Sequence, residues 1–151
     1  AGGPWDAVAV DGNLARSTIE AFTALFAAAH PVLSAASPEK ARALAPSLPL
    51  ASLLYLNRFE AEVIAGQPLA TSEGAASALL DRGAVRAVVT DGPGKITDAS
   101  QGHKVTILPD YPKTPNLIGA GDRFLAGHLV ATLTGSAPDD AIRRGILRVA
   151  G

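Results

Sequence analysis

Four short apolar runs, Ala7-Val8-Ala9-Val10, Val32-Leu33, Leu53-Leu54-Tyr55-Leu56 and Ala87-Val88-Val89, recur along this chain with segments of helical character between them. Such runs suit strands of a sheet covered by helices, and the spacers suit crossovers, so the pattern predicts successive βαβ units and a parallel sheet. Between the first two runs Ile19, Phe22, Leu25, Phe26 and Ala29 recur at helical spacing, as Ala75, Ala76, Leu79 and Leu80 do between the last two. Each run ends in a polar residue: Asp11, Ser34, Asn57, and Thr90 with Asp91. Ligands of open α/β sheets bind outside the carboxyl ends of the strands, so these side chains are expected along one functional edge.

The pattern changes after Asp91. Gly92-Pro93-Gly94 is a turn signal, and Lys95 to Ala99 and His103 to Leu108 read as two strands joined through Ser100-Gln101-Gly102, an antiparallel extension of the sheet. Tyr111-Pro112-Lys113-Thr114-Pro115 cannot continue a central strand, because its prolines lack N–H donors. A last helix is expected from about Pro138, with Asp139 and Asp140 in its first turn and Arg143, Arg144 and Arg148 later. No internal repeat or second domain is visible, so residues 1–151 read as a single α/β domain with a Rossmann-like, mostly parallel sheet.

Composition narrows the function. At 151 residues and 48% hydrophobic content the chain can bury one sizeable core. Thirteen basic against 14 acidic residues, without a basic block, leave no electrostatic footprint for nucleic acid. Small neutral or anionic ligands are the expected partners. The absence of cysteine excludes disulfides, thiolate metal sites and a thiol nucleophile. No apolar run has the length of a membrane span and the start lacks signal-peptide character, so a cytoplasmic protein is expected, with no membrane partner.

The segment Asn116-Leu117-Ile118-Gly119-Ala120-Gly121-Asp122-Arg123-Phe124 sets two glycines and a carboxylate at the mouth of a helix whose stripe reads Leu125, Ala126, Leu129, Val130 and Leu133. Backbone N–H groups in a first helical turn lack intrahelical partners and carry the positive end of the macrodipole, so a phosphate could sit there. A carboxylate repels phosphate, which makes Asp122 odd in a site that only binds. It makes sense as a base beside a group being transferred.

Gly119-Ala120-Gly121-Asp122 with Phe124 and Gly127, preceded by Asn57-Arg58-Phe59-Glu60 and by Thr90-Asp91-Gly92, resembles the PfkB-type, or ribokinase-like, carbohydrate and nucleoside kinases in motif order and approximate spacing. The resemblance implies a ribokinase-like α/β fold and ATP-dependent phosphoryl transfer to a hydroxyl of a sugar or nucleoside. It implies an anion hole at Gly119, Ala120 and Gly121, with Asp122 as catalytic base. Asn57 is associated with the phosphate region, Glu60 with magnesium through water, and Thr90, Gly92 and Gly94 with the nucleotide. Asp11 and Asn13, at the end of the first strand, are weaker candidates for substrate contact.

Some residues depart from the family pattern. Members carry Asp where this chain has Asn116, and that Asp helps hold a monovalent cation, so potassium activation is not expected here. Asn116 also gives the motif the form of a pseudouridine-kinase-like variant. Members are considerably longer, with an N-terminal half that supplies most sugar contacts and a small β lid, so the chain reads as the C-terminal, ATP-binding and catalytic portion of such a fold. An isolated portion would expose sheet edges prone to pairing, which brings a homodimer into consideration.

Other roles fit the same residues. Asn57 and Glu60 can form a capping box, which is compatible with ligand binding. Thr90 and Gly92 can be a strand end and turn, and Asn13 a turn or N-cap residue. His30, His103 and His128 lack metal-ligand spacing and read as structural or exposed. Two other functions stay open: a nucleotide-binding remnant or regulatory module without turnover, and a Rossmann oxidoreductase. The latter is weakened because Asp11-Gly12-Asn13-Leu14, and no Gly-x-Gly-x-x-Gly, follows the first strand.

Overall fold

The computed structural model describes residues 5–110 and 119–150. Its centre is a six-stranded sheet of β1 (Val8–Asp11), β2 (Pro31–Ser34), β3 (Leu53–Asn57), β4 (Arg86–Thr90), β5 (Ile96–Ser100) and β6 (His103–Ile107), in sequence order across the sheet. Strands β1 to β4 pair in parallel, and β5 and β6 are antiparallel additions. The expected sheet and its hairpin extension are both present. The loop predicted at Tyr111–Pro115, and Asn116, Leu117 and Ile118, lie outside the described residues.

Alternation along the strands sends neighbouring side chains to opposite faces, and both faces are covered. Leu33, Leu54, Leu56, Ala87 and Val89 face a layer built from α1 (Arg16–Leu25), α2 (Pro38–Ala41), α3 (Arg58–Ala65) and α4 (Ser72–Asp81), whose Ile19, Ala41, Ile64, Ala76 and Leu79 complete the larger core. The link from α2 to β3 runs as a 3₁₀ segment, Arg42–Leu50, because Pro46 and Pro49 cannot donate to an α-helical ladder. On the other face Val32, Leu53, Tyr55, Val88 and Ile96 pack beneath Phe124 of α5 (Ala120–Leu133) and Ile142 and Val149 of α6 (Pro138–Ala150).

The last helix starts at the predicted Pro138, whereas the buried face of α5 is turned from the expected one, with Leu125 and Leu129 of the predicted stripe still packed in part against the core. Its buried residues are Phe124, Gly127, His128 and Ala131, while Val130 and Leu133 of the predicted stripe are exposed. The reason is α6. Gly127 and Gly145 let the two helices approach so closely that a Cβ on Gly127 would stand 3.1 Å from the Gly145 Cα. Backbone contact through glycine leaves no trace in an apolar stripe.

Candidate active site

The carboxyl ends of the parallel strands gather the predicted polar residues. Asp11 is level with Ser34, and Asn57 with Thr90; Ser34 is level with Tyr55, so β3 carries Asn57 further out along the edge. Over this edge Gly121, Asp122, Phe124 and Leu125 face Ser34, Ala35, Tyr55, Leu56, Asn57, Glu60, Val88 and Thr90 across a cleft of about 440 Å³ that opens to solvent.

The two helices that begin at the cleft start differently. At α3 the Asn57 Oδ1 accepts the Glu60 N–H at 2.9 Å, and the Glu60 Oε2 accepts the Asn57 N–H at 2.8 Å, closing a capping box. Glu60 is buried, and burial raises its carboxyl above the ordinary range against the lowering effect of its hydrogen bonds with Asn57. A cation within reach would favour its charged form. Arg58 ties this helix to the turn after β4, donating from Nε to the Asp91 Oδ1 at 2.9 Å and from Nη1 to the Glu62 Oε1 at 2.6 Å.

Helix α5 has no such closure. Gly119 is its N-cap residue, in the left-handed region at φ 66° and ψ 17°, where a β-carbon is disfavoured. The Arg123 N–H reaches the Gly119 carbonyl at 3.0 Å to begin the helix, and among the described residues no side chain caps the turn. The N–H groups of Ala120, Gly121 and Asp122 sit at the positive end of the macrodipole. Gly121 is not among the positive-φ glycines, and a Cβ there would meet no heavy atom within 4 Å. Glycine in a helix is less stable than alanine by up to about 1 kcal/mol, so neither conformation nor packing among the described residues accounts for it. Its bare backbone leaves room for an external group.

The structure thus brings Asn57, Glu60, Thr90, Gly121 and Asp122 together around the cleft, with Gly119 and Ala120 in the same turn as Gly121. It does not bring the others. Asp11 and Asn13 are exposed and away from the cleft lining, with the Asp11 Oδ1 accepting the Asn13 N–H at 2.7 Å in a local turn. Ala15, not Asn13, is the N-cap residue of α1. Gly92 and Gly94 shape the turn after β4 without lining the cleft: Gly92 has φ 56°, and the Gly94 N–H bonds the Asp91 carbonyl at 2.8 Å.

A buried polar chain beneath the cleft is absent from the sequence-based expectations. The Tyr55 hydroxyl lies 2.6 Å from the His128 Nδ1, and the His128 Nε2 lies 3.2 Å from the Asp98 Oδ2. Arg86 donates from Nε to the other Asp98 oxygen at 2.8 Å. Burial acts to raise the Asp98 carboxyl, but hydrogen bonds from Arg86 and His128 outweigh it and hold that carboxyl below its ordinary range. Burial pushes the Tyr55 phenol far up, so it remains a hydroxyl donor. The available sequence signal was one tyrosine in a leucine run, since a buried phenol needs a partner.

Magnesium and nucleotide can be weighed against these residues. Among the described residues no group of three or more His, Asp or Glu could hold a metal ion. Magnesium commonly takes one or two carboxylates plus phosphate oxygens, and buried Glu60 on the cleft fits the carboxylate of that division. Uncapped α5 donors beside it fit a phosphate. Among the described residues no helix is long and apolar enough to cross a membrane.

Fold and cleft together define an open α/β domain with the start of α5 at the carboxyl edge of its sheet. The chain belongs to the pfkB family of carbohydrate kinases, whose model matches residues 4–147. Comparison with curated protein sequences gives no match. Among solved structures, a carbohydrate kinase from Agrobacterium tumefaciens is 27% identical with a TM-score of 0.80, covering 96% of this chain and 47% of its own. A ribokinase from Thermotoga maritima shares the fold at 20% identity and a TM-score of 0.81, covering 96% of this chain and 49% of its own. An adenosine kinase from Sinorhizobium meliloti does so at 17% identity and a TM-score of 0.80, covering 95% and 47%. The chain therefore spans about half the length of the structures it matches.

Proposed function

We propose that this chain forms the nucleotide-binding and catalytic portion of an ATP-dependent kinase that transfers the γ-phosphoryl group to a hydroxyl of a sugar or nucleoside. The observation that carries the proposal is the uncapped start of α5, which opens onto the same cleft as Asn57, Glu60 and Thr90 and bears Asp122 in its first turn. Membership of the pfkB family supports the reaction class.

Phosphoryl transfer asks for positioning and charge neutralisation more than covalent chemistry. The N–H groups of Ala120 and Gly121, with that of Asp122, receive the charge of the transferring group. The Asp122 carboxylate accepts the proton of the acceptor hydroxyl as that oxygen bonds to phosphorus and ADP leaves. Thr90 and the turn held by Arg58 and Asp91 border the nucleotide, with Gly92 and Gly94 setting the shape of that turn. Glu60 would hold magnesium, which would supply charge neutralisation at the phosphate groups.

The direct test replaces Asp122 by Asn in the intact protein and assays ATP-dependent phosphorylation of a panel containing ribose, adenosine, pseudouridine and pyridoxal. Loss of a positioned base lowers kcat by about 10²–10⁴-fold, with ATP affinity nearly unchanged. Near-normal kcat in the folded variant would remove Asp122 from the chemistry. A second function is nucleotide binding without turnover. ATP binding by the wild-type protein with no transfer to any acceptor would favour it.

A further inference from the structure

The polar chain under the cleft is oriented. Asp98, held as a carboxylate by Arg86, can only accept, so the His128 Nε2 carries the proton and leaves the Nδ1 lone pair to the Tyr55 hydroxyl. Every member is partnered, and Tyr55, Asp98 and His128 are all nearly fully buried. Apolar side chains of similar volume would hold α5 on the sheet about as strongly, so stability alone does not explain a buried ionic chain there.

Its placement does. The remaining contact of α5 with the sheet includes Phe124 against an apolar cluster, and its contact with α6 runs over glycine backbone. Such contacts are non-directional and permit small sliding of one element on another. Hydrogen bonds to a fixed ring do not. Tyr55 stands on β3 and lines the cleft, while His128 stands on α5 six residues beyond Asp122, about 9 Å along the helix.

Resting on the kinase assignment above, we propose that Tyr55, His128 and Asp98 act as a positioning relay that fixes the first turn of α5 over the strand ends. Their part lies outside the transfer itself: with its hydroxyl engaged by His128, Tyr55 acts through α5, and the relay sets where Gly121 and Asp122 stand. A misplacement of about 1 Å in a reacting group can cost about 10²-fold in rate, so the relay acts on kcat and leaves nucleotide affinity nearly untouched.

The test uses Tyr55→Phe and His128→Leu in the intact protein, with hydrogen exchange followed residue by residue and kinetics measured well below each melting temperature. The relay predicts a kcat lowered about tenfold to a hundredfold, with KM for ATP within about twofold and faster exchange concentrated at Arg123 and Phe124, the first amides bonded within α5. Unchanged kcat and unchanged local exchange in Tyr55→Phe overturn it. So does exchange that rises evenly across the sheet, which marks a purely structural role. His128→Leu could fail to fold; Tyr55→Phe removes one oxygen and carries the decision alone. If the wild-type protein phosphorylates nothing, the kinase assignment fails by itself, and local exchange at Arg123 and Phe124 in Tyr55→Phe still decides whether the relay positions α5.

Discussion

Helices α3 and α5 both begin at the carboxyl edge of the sheet, beside one cleft, and they solve the problem of orphaned N–H groups in opposite ways. Helix α3 closes on itself through Asn57 and Glu60, while α5 starts at a left-handed glycine with no capping side chain among the described residues. A closed start stabilises the fold by its own hydrogen bonds. An open start retains donors for something that arrives later, so the comparison separates structural glycine and carboxylate positions from those available to a ligand.

The largest effect that sharpens this contrast comes from glycines on one helix. At Gly121 an added Cβ stands in open space, so Gly121→Ala should raise stability by up to about 1 kcal/mol while lowering phosphoryl transfer, and Gly121→Val should lower it by about 10²-fold or more. At Gly127 the same Cβ would stand 2.9 Å from the Arg144 carbonyl, so Gly127→Ala should destabilise by about 1–3 kcal/mol in a denaturant titration. Equal stability changes at the two sites would break the distinction between an open and a packed glycine.

A smaller effect belongs to the closed start. Asn57→Ala removes the acceptor for the Glu60 N–H and should cost about 1 kcal/mol in unfolding free energy. Where Asn57 also meets the ligand, ATP binding weakens beyond that loss, which calorimetry on the folded variant separates from stability.

The smallest effect is in pH. The folded-state pKa of Asp98 lies below its ordinary value of 3.8, so its stabilising contribution is present above that value and is lost as pH falls through the folded pKa. Glu60 runs the other way: its raised folded-state pKa contributes stability below its ordinary 4.5 that is lost as pH rises through the folded value. Acid melting curves of Asp98→Asn should be flatter than wild type below 3.8, and those of Glu60→Gln should lose the opposing slope. Parallel curves would remove these two carboxyls from the acid response.

Much of this architecture is legible in local pattern. Short apolar runs ending in Asp11, Ser34, Asn57 and Thr90 announce parallel strands and their ligand edge, and Asn57 with Glu60 announces a capped helix. What the pattern hides is contact at long range. Helix α5 is apolar on several sides, so its inward face is decided by Gly127 meeting α6, and periodicity selects Val130 and Leu133 instead. His128 finds Tyr55 across 73 positions of sequence, and neither residue type signals such a partner alone. Asp11 and Asn13 illustrate the converse: a strand-end polar pair satisfied by a local turn rather than aimed at the cleft.

The central claim is that the open start of α5 receives phosphate. Backbone amide shifts of the intact protein, recorded with magnesium while ATP and, separately, adenine are titrated, test it most directly. The largest ATP-induced shifts should fall at Ala120, Gly121 and Asp122, with smaller ones near Thr90, and adenine should leave the α5 amides unmoved. Equal shifts with adenine, or ATP shifts confined to the opposite end of the sheet around Gln101 and His103, would contradict it.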